Sequence, residues 1–276
     1  MKFSTLFISL LTLVFIPSVV LCKNSPEIIK IKKQGVLTVG ILQEDTPPFF
    51  MIGKDGQLHG FDIELAQRIG KELGVKVIFN RNAKTFDDVV DLVVQKKIDL
   101  AISKLSINLS RAQKVSYTTP YIFIKSVLLI NRVKNANLEK LNTSELIASL
   151  NKSNTSIGIV RGTTHKNMIS EDFPKANVVE FNKIEQALQA VSEGSVDSMQ
   201  THETNARNWL HIHPEKSVRV KYISRNDRIS PVAIAVSWER ADLVQWLNNV
   251  IDVASMDGTL DRLKKHYVES FDWEKQ

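Results

Sequence analysis

The chain has 276 residues, of which 43% are hydrophobic and 24% are charged, the proportions of a globular protein rather than of a disordered or fibrous one. Its net charge of +6 is spread along the sequence without a long basic run, so nucleic acid is not a predicted partner. The one cysteine, Cys22, excludes an internal disulfide framework and a cysteine-based zinc site. The histidines are scattered and no glycine-rich phosphate loop is present, so neither a metal nor a cofactor is predicted.

The first 22 residues have the features of a secretory signal peptide. Lys2 gives a basic start, a long uncharged apolar run follows, and Pro17 breaks this run shortly before a cut after Cys22. An uncleaved membrane anchor and a lipoprotein attached through Cys22 are the alternatives. The proline favours cleavage, and bulky Leu21 is a poor match to a lipoprotein signal.

Helices and strands alternate along the first half of the mature chain. Ser25 can cap the first helix, and Gly35 can end it. Asp62 is predicted to cap a helix whose apolar residues recur every four positions, and Thr85 with Asp88 forms a capping box for the next helix. The predicted strands of this half lie at 36–42, 75–79 and 98–102.

Residues 99–111, with the sequence DLAISKLSINLSR, run from the third of these strands into a cluster of polar side chains. Ligand sites in open α/β sheets lie at the carboxyl ends of strands. Ser103, Lys104 and Ser106 can donate hydrogen bonds there, and Arg111 can hold a carboxylate with two of its five N–H groups. A solvated polar loop is the alternative, and chemistry alone does not decide between the two.

The second half repeats this plan after a long apolar strand at 121–130 and a polar stretch at 131–154. Gly162, Thr163 and Thr164 precede a helix, where free N–H groups and the helix dipole favour an anion; an ordinary helix cap is the alternative. The sequence therefore predicts an α/β protein of two lobes, each a mostly parallel sheet flanked by helices. The remaining predicted elements are strands at 156–160, 178–181, 196–199 and 231–237, and helices at 184–192, 241–254 and 260–267.

The ordered motifs of the chain resemble those of the bacterial extracellular solute-binding proteins of family 3, which serve polar amino acid ABC transporters. These motifs are GVLTVGI, TPPF, GFDIELAQRIGKELG, KKIDLAISKLSINLSR, YTTPY, SIGIVRGTTHKNM, EQALQAVSEGSVD and MDGTLDRL. The resemblance implies a type II periplasmic binding protein fold, with two lobes joined by two crossover strands and closing on a ligand by hinge bending. It implies a signal peptide at 1–22, a first lobe at 23–124 plus 235–276, and a second lobe at 125–234.

The resemblance also implies a function and a set of site residues. The chain is expected to be a monomeric periplasmic protein that binds a small polar, carboxylate-bearing solute, an amino acid or a derivative, and delivers it to an inner-membrane ABC permease. Arg111 would hold the ligand carboxylate, with Thr163 and Thr164 contacting it from the second lobe; Phe86 would pack on the ligand or, alternatively, in the core. The full set of ligand-binding residues is Thr46, Phe86, Ser103, Lys104, Ser106, Arg111, Gly162, Thr163, Thr164, His202 and Glu203.

Three positions depart from the family pattern. Thr46 stands where an aromatic residue is frequent in the family. Lys104 stands where a small or hydroxyl residue is usual, and its cation either favours an extra ligand carboxylate or projects into solvent. His202 aligns with the aspartate that binds the ligand's α-ammonium group, and neutral histidine brings no fixed negative charge. Glu203 would substitute if the loop shifts by one residue; otherwise the ligand is not an ordinary α-amino acid.

Two other function classes compete with a binding protein that has no catalytic residues. The same fold hosts cyclohexadienyl dehydratases, which SINLSR and LHIHPE somewhat resemble. Their chemistry needs a general acid, for which His202, Glu203 and Glu185 are candidates, but Asn205 stands where a glutamate is expected. A soluble ligand-sensing module is the third class, since fold alone does not determine function.

Overall fold

The structure is a computed structural model that describes residues 25–138 and 140–275. The predicted signal peptide and Cys22 lie outside the described residues. The strands are β1 Val36–Leu42, β2 Met51–Ile52, β3 Leu58–His59, β4 Lys76–Ala83, β5 Leu100–Ala101, β6 Ser116–Tyr117, β7 Ile122–Asn131, β8 Ser156–Val160, β9 Asn177–Phe181, β10 Ser198–His202, β11 Val220–Val232 and β12 Ala235–Val236. The helices are α1 Pro26–Gln34, α2 Phe61–Leu73, α3 Phe86–Val94, α4 Leu109–Ala112, α5 Thr143–Leu150, α6 His165–Asp172, α7 Ile184–Glu193, α8 Glu203–Ile212, α9 Ala241–Met256 and α10 Thr259–Leu263, the last continued by a π-helical segment, Lys264–Glu269.

Two five-stranded sheets organise the chain. The first has the order β4-β1-β5-β12-β6, in which β4, β1 and β5 are parallel and β12 is antiparallel to both of its neighbours. The second has the order β11-β7-β10-β8-β9, in which β10, β8 and β9 are parallel and the other two strands are antiparallel. We call the units around these sheets lobe 1 and lobe 2. Lobe 1 has one continuous apolar core, whereas lobe 2 has a core on each face of its sheet.

The antiparallel pair β7–β11 connects the two lobes. It belongs to the sheet of lobe 2, yet Ile122, Ile124 and Val232 at its end pack into the core of lobe 1. A bulge in β11 between Arg225 and Ile229 marks the middle of this pair. Two extended strands therefore pass between the lobes side by side, as the crossover prediction requires.

The C-terminal segment of lobe 1 makes a second contact with lobe 2, through α8. Arg207 donates to the carbonyl oxygens of Val268 and Glu269 at 3.2 and 3.3 Å, and the His211 ring stacks on Phe271 with 3.9 Å between ring centroids. Trp273 lies at the same seam and is 8% exposed. The lobes are thus joined through this segment as well as through β7 and β11.

The predicted helices and strands of lobe 1 are present, although β4 extends to Ala83 beyond its predicted end, β5 is shorter than predicted, and the short elements β2, β3, α4 and β6 were not predicted. The Ser25 hydroxyl caps α1, Gly35 ends it at φ 68°, and the Thr85–Asp88 capping box begins α3. The prediction that Asp62 caps α2 was wrong, because Gly60 occupies that position and Asp62 is buried inside the first turn. In the described ranges, no helix combines the length and apolar character that crossing a membrane requires.

The second half contains two helices that were not predicted and one strand that was predicted wrongly. The polar stretch after β7 contains helix α5, which begins with a capping box between Asn142 and Glu145. Helix α8, which was not predicted, follows β10 directly. The strand expected at 231–237 is divided between the end of β11 in lobe 2 and β12 in lobe 1, since the chain changes sheets there.

Candidate functional site

A cavity of about 680 Å³ lies between the two lobes, and we call it the interlobe cavity. Lobe 1 contributes the ends of β1 and β5 and the start of α3, while lobe 2 contributes the starts of α6, α7 and α8. Eight of the eleven residues predicted to bind ligand line it: Thr46, Phe86, Lys104, Ser106, Arg111, Thr163, Thr164 and His202.

The other three predicted residues lie beside the cavity rather than on its wall. The Ser103 hydroxyl is fully buried and accepts a hydrogen bond from the Leu42 amide at 3.1 Å, which ties the ends of β5 and β1 together. Glu203 begins α8 and lies beside Tyr222, whose pKa is raised by burial and by this carboxylate. Gly162 takes part only through its backbone.

Arg111 is the most heavily bonded side chain of the cavity. Its Nε donates to Asp87 Oδ1 at 2.9 Å, and its terminal nitrogens donate to the carbonyl oxygens of Ser106 and Gly162 at 3.3 and 2.6 Å. The last of these bonds crosses from lobe 1 to lobe 2. The guanidinium carbon lies 5.8 Å from the centre of the Phe86 ring. Arg111 is only 5% exposed, so its charge is held in a fixed position at the cavity wall.

Gly162 allows the lobes to approach closely at this point. Its φ of 72° lies in the left-handed region, which glycine adopts without strain. A Cβ here would lie 3.3 Å from the Thr85 Cβ, across the cleft. The glycine carbonyl can therefore reach Arg111 without a side chain between the lobes.

The start of α6 lines the cavity from lobe 2, next to the Gly162 carbonyl that Arg111 contacts. Thr163 donates its hydroxyl to the Val160 carbonyl at 2.7 Å, which fixes the turn that leads into the helix. Thr164 is the N-cap residue, and its buried hydroxyl has no partner among the described residues. A helix of eight residues therefore presents its unpaired N–H groups and one hydroxyl at the wall of the cavity, a favourable arrangement for an anion.

Lys104 is a second buried cation, and it lies deep in the cavity. Its backbone has φ 48°, and its amide donates to the buried carboxyl of Asp62 at 2.5 Å. Its ammonium group donates to Asn205 Oδ1 of lobe 2 at 2.6 Å and lies 5.1 Å from the centre of the Phe49 ring. Burial lowers the pKa of Lys104 to about 7, partly offset by the negative charge of Asp62.

Two buried histidines lie next to Lys104. His202, at the end of β10, and His165, in the first turn of α6, form an edge-to-face pair with 4.6 Å between ring centroids. Burial, followed by the charge of Lys104, lowers the pKa of His165 to about 3, and burial together with these two neighbours lowers the pKa of His202 well below its usual value. Both imidazoles are therefore neutral at neutral pH.

The mouth of the cavity carries the acidic residues. Thr46 forms an isolated bridge with Phe50 that shapes the loop there. Glu44 pairs with Lys183 at 3.2 Å, and Asp45 pairs with Arg81 at 2.6 Å. Within residues 25–138 and 140–275, no group of three or more His, Cys, Asp or Glu side chains could hold a metal ion.

Sequence reasoning missed several residues around the cavity. His165 directly follows the predicted Gly-Thr-Thr start of α6, and its position in the first helical turn was the available signal. Asn205 was noted only as a missing glutamate, yet it binds Lys104. Asp62 accepts a hydrogen bond from the Lys104 amide, 42 residues away, and Asp87 accepts one from Arg111, 24 residues away. No local sequence pattern indicates contacts at this separation.

Two α/β lobes around an interlobe cavity, joined by paired crossover strands, have the architecture of the type II periplasmic binding protein fold. The chain belongs to the bacterial extracellular solute-binding proteins, family 3, whose model matches residues 37–270. This match confirms the resemblance that the sequence motifs indicate.

Individual relatives agree with this assignment. The chain is 27% identical to ABC transporter arginine-binding protein 1 of Escherichia coli K12 over 222 residues, which are 80% of this chain and 86% of the relative. It is 25% identical to the L-cystine-binding protein TcyJ of the same strain over 239 residues, or 86% and 84% of the two chains. A solved structure of an ancestral amino acid-binding protein, described as a precursor of cyclohexadienyl dehydratase, superposes with a TM-score of 0.74 at 29% identity and covers 87% of this chain and 98% of its own.

Proposed function

We propose that this protein is the periplasmic solute-binding component of an ABC transporter, and that it delivers a small carboxylate-bearing solute to a membrane permease. The single observation that carries this proposal is that Arg111 of lobe 1 and the start of α6 in lobe 2 line the same interlobe cavity and meet at the Gly162 carbonyl. A carboxylate between them would satisfy the guanidinium and the free groups of the helix start at once. Relatives named for arginine and cystine binding support a solute of amino acid size.

Isothermal titration of the mature protein against a broad panel of amino acids and small carboxylic acids tests this proposal. Arg111→Met should weaken the best ligand about tenfold to hundredfold, because hydrogen bonds to charged groups contribute about 1.5–3 kcal/mol. Arg68→Met is the matched control, since Arg68 also pairs with carboxylates, Glu72 and Asp257, but does not line the cavity. The absence of binding across the panel, or an unchanged affinity in Arg111→Met, would contradict the proposal.

The dehydratase alternative has less support from the geometry. Of its candidate acids, Glu185 is 74% exposed at its side chain and faces His213, and Glu203 lies beside Tyr222 outside the cavity wall. His202 remains, but burial lowers its pKa well below the usual value. The ring is therefore neutral at neutral pH and cannot act as an imidazolium acid. Formation of phenylpyruvate from prephenate is the assay that would reverse this preference.

A further inference from the structure

Two buried cations line the interlobe cavity at separate places. Arg111 is 5% exposed and Lys104 is 3% exposed. Three of the five Arg111 N–H groups are used by neighbouring groups of the protein, and one of the three Lys104 ammonium hydrogens is used by Asn205. Each cation therefore keeps donors for a bound solute.

The acidic residues near these cations do not present carboxylates to the interior of the cavity. Asp62 accepts the Lys104 backbone amide and the Tyr121 hydroxyl, and it does not line the cavity. Asp87 binds Arg111 Nε from the outer side and is 58% exposed. The two acids of the mouth described above are engaged in ion pairs of their own. Among the described lining residues, no unpaired carboxylate is present to receive a cationic group of a solute.

The remaining polar groups of the interior are neutral. Thr164 Oγ1, His165 Nε2 and His202 Nε2 are buried, belong to residues that line the cavity, and have no hydrogen-bond partner among the described residues. A solute ammonium group placed among them would approach the Lys104 ammonium group with no unpaired carboxylate of the cavity lining to receive it, and like charges in a desolvated site repel strongly. A second acidic group of the solute would instead meet a cation and neutral donors.

We propose that the solute is a small dicarboxylate without a cationic group, held at one carboxylate by Arg111 and the start of α6 and at the other by Lys104. This inference rests on the function proposed above and narrows its ligand class. Lys104 is then the residue that selects a second carboxylate, and the neutral histidine pair provides the polar wall around it.

A panel of solutes with similar carbon skeletons but different charged groups tests the ligand class. Isothermal titration at pH 7 would compare succinate, glutarate, 2-oxoglutarate and adipate with glutamate, glutamine and arginine. We expect the best dicarboxylate to bind at least about tenfold tighter than any solute that carries an ammonium group, with arginine among the weakest. Tighter binding of any amino acid would overturn this inference while the proposed function survives; no binding by any solute, including the broad panel above, would overturn both.

Variants at Lys104 and His202 locate the second carboxylate. Lys104→Met should weaken dicarboxylate binding about tenfold to hundredfold and change binding of the matching monocarboxylate less than about threefold. Lys114→Met is the matched control, because Lys114 is an exposed lysine that pairs with Asp91 outside the cavity. An unchanged dicarboxylate affinity in Lys104→Met would overturn the assignment.

A second variant keeps the test decisive if Lys104→Met does not fold. His202→Asp places a carboxylate beside the Lys104 ammonium group and should weaken dicarboxylates while strengthening α-amino acids. Dicarboxylate binding that is unchanged or stronger in His202→Asp would overturn the inference. Thermal unfolding of each variant establishes that the comparison is made between folded proteins.

Discussion

Raising the pH from 6 to 9 perturbs Lys104 without any substitution. Burial lowers the pKa of its ammonium group to about 7. Below that pH the unliganded protein already carries the cation that an acidic solute needs. Above it, Lys104 has lost its proton and must take one up on binding, so the affinity for an anionic solute should fall by up to about tenfold per pH unit.

Of the other titratable groups around Lys104, Asp62 changes its charge over this pH range and the rest do not. Burial raises the pKa of Asp62 to about 7, so Asp62 gains a negative charge that repels an anionic solute but also favours the protonated form of Lys104. His165, with a pKa of about 3, and His202 stay neutral, and Tyr121, whose pKa is raised well above its usual value by burial, keeps its proton. The total loss of affinity between pH 7 and pH 9 should therefore reach about tenfold to hundredfold.

Titration calorimetry at several pH values, in buffers of different ionisation enthalpy, measures both the affinity and the number of protons taken up. At pH 8 we expect close to one proton taken up per dicarboxylate bound. Lys104→Met should show a shallower pH dependence, whereas Lys114→Met should retain the wild-type slope. An affinity that is constant or rises between pH 7 and pH 9 would refute the reasoning.

Three further predictions concern stability. The proton on buried Asp62 stabilises the wild-type fold fully below about pH 4, and this stabilisation is lost as the pH rises through the Asp62 pKa of about 7. The melting temperature of Asp62→Asn should therefore rise relative to that of the wild type between pH 5 and pH 8. A difference in melting temperature that stays constant over this range would refute the prediction. A Cβ on Gly60, at φ 130°, would lie 2.2 Å from the Phe49 carbonyl oxygen, so Gly60→Ala should lower the free energy of unfolding in urea by about 2–4 kcal/mol. Gly56→Ala is the control and should cost about 1 kcal/mol, because φ there is 76° and the space around the new methyl group is open. Arg225, 1% exposed at its side chain, pairs with Asp172 at the end of α6 and with Asp227. Because Arg228 still pairs with Asp172 after the substitution, Arg225→Met should cost about 1–2 kcal/mol in urea unfolding, and a cost below about 0.5 kcal/mol would contradict this account.

The fold was largely predictable because its signals are local. Capping residues and apolar periodicity specified α1, α2 and α3, and continuous apolar runs specified β1 and β8, within a residue or two of the observed ends. Helix α5 was missed because its polar composition outweighed the Asn142–Glu145 capping box, which was present in the sequence. The division of the last strand depends on where the chain changes sheets, and that is decided by packing rather than by local sequence.

The position of a candidate site residue could be predicted where its chemistry suits a ligand at the end of a strand or the start of a helix. Arg111 and the helix start at Thr163–Thr164 fall in this class, since both line the interlobe cavity, and their contact with a ligand stays a prediction. The role of Asp62 could not be predicted, because its partners are the Lys104 amide and the Tyr121 hydroxyl, 42 and 59 residues away. The edge-to-face pair of His165 and His202 likewise arises only when two separate elements of lobe 2 come together.

The seam between α8 and the C-terminal segment places a natural fluorophore where the lobes meet. Trp273 is 8% exposed there, and its indole N–H has no hydrogen-bond partner among the described residues. Of the other three tryptophans, Trp209 is buried in a core of lobe 2, Trp246 packs against the core of lobe 1, and Trp238 is 58% exposed on the surface, so none of them lies at the seam. Separation of the lobes would bring water to the Trp273 ring and shift its emission to longer wavelength. Intrinsic fluorescence would therefore report an opening of the two lobes at this seam, without an attached label.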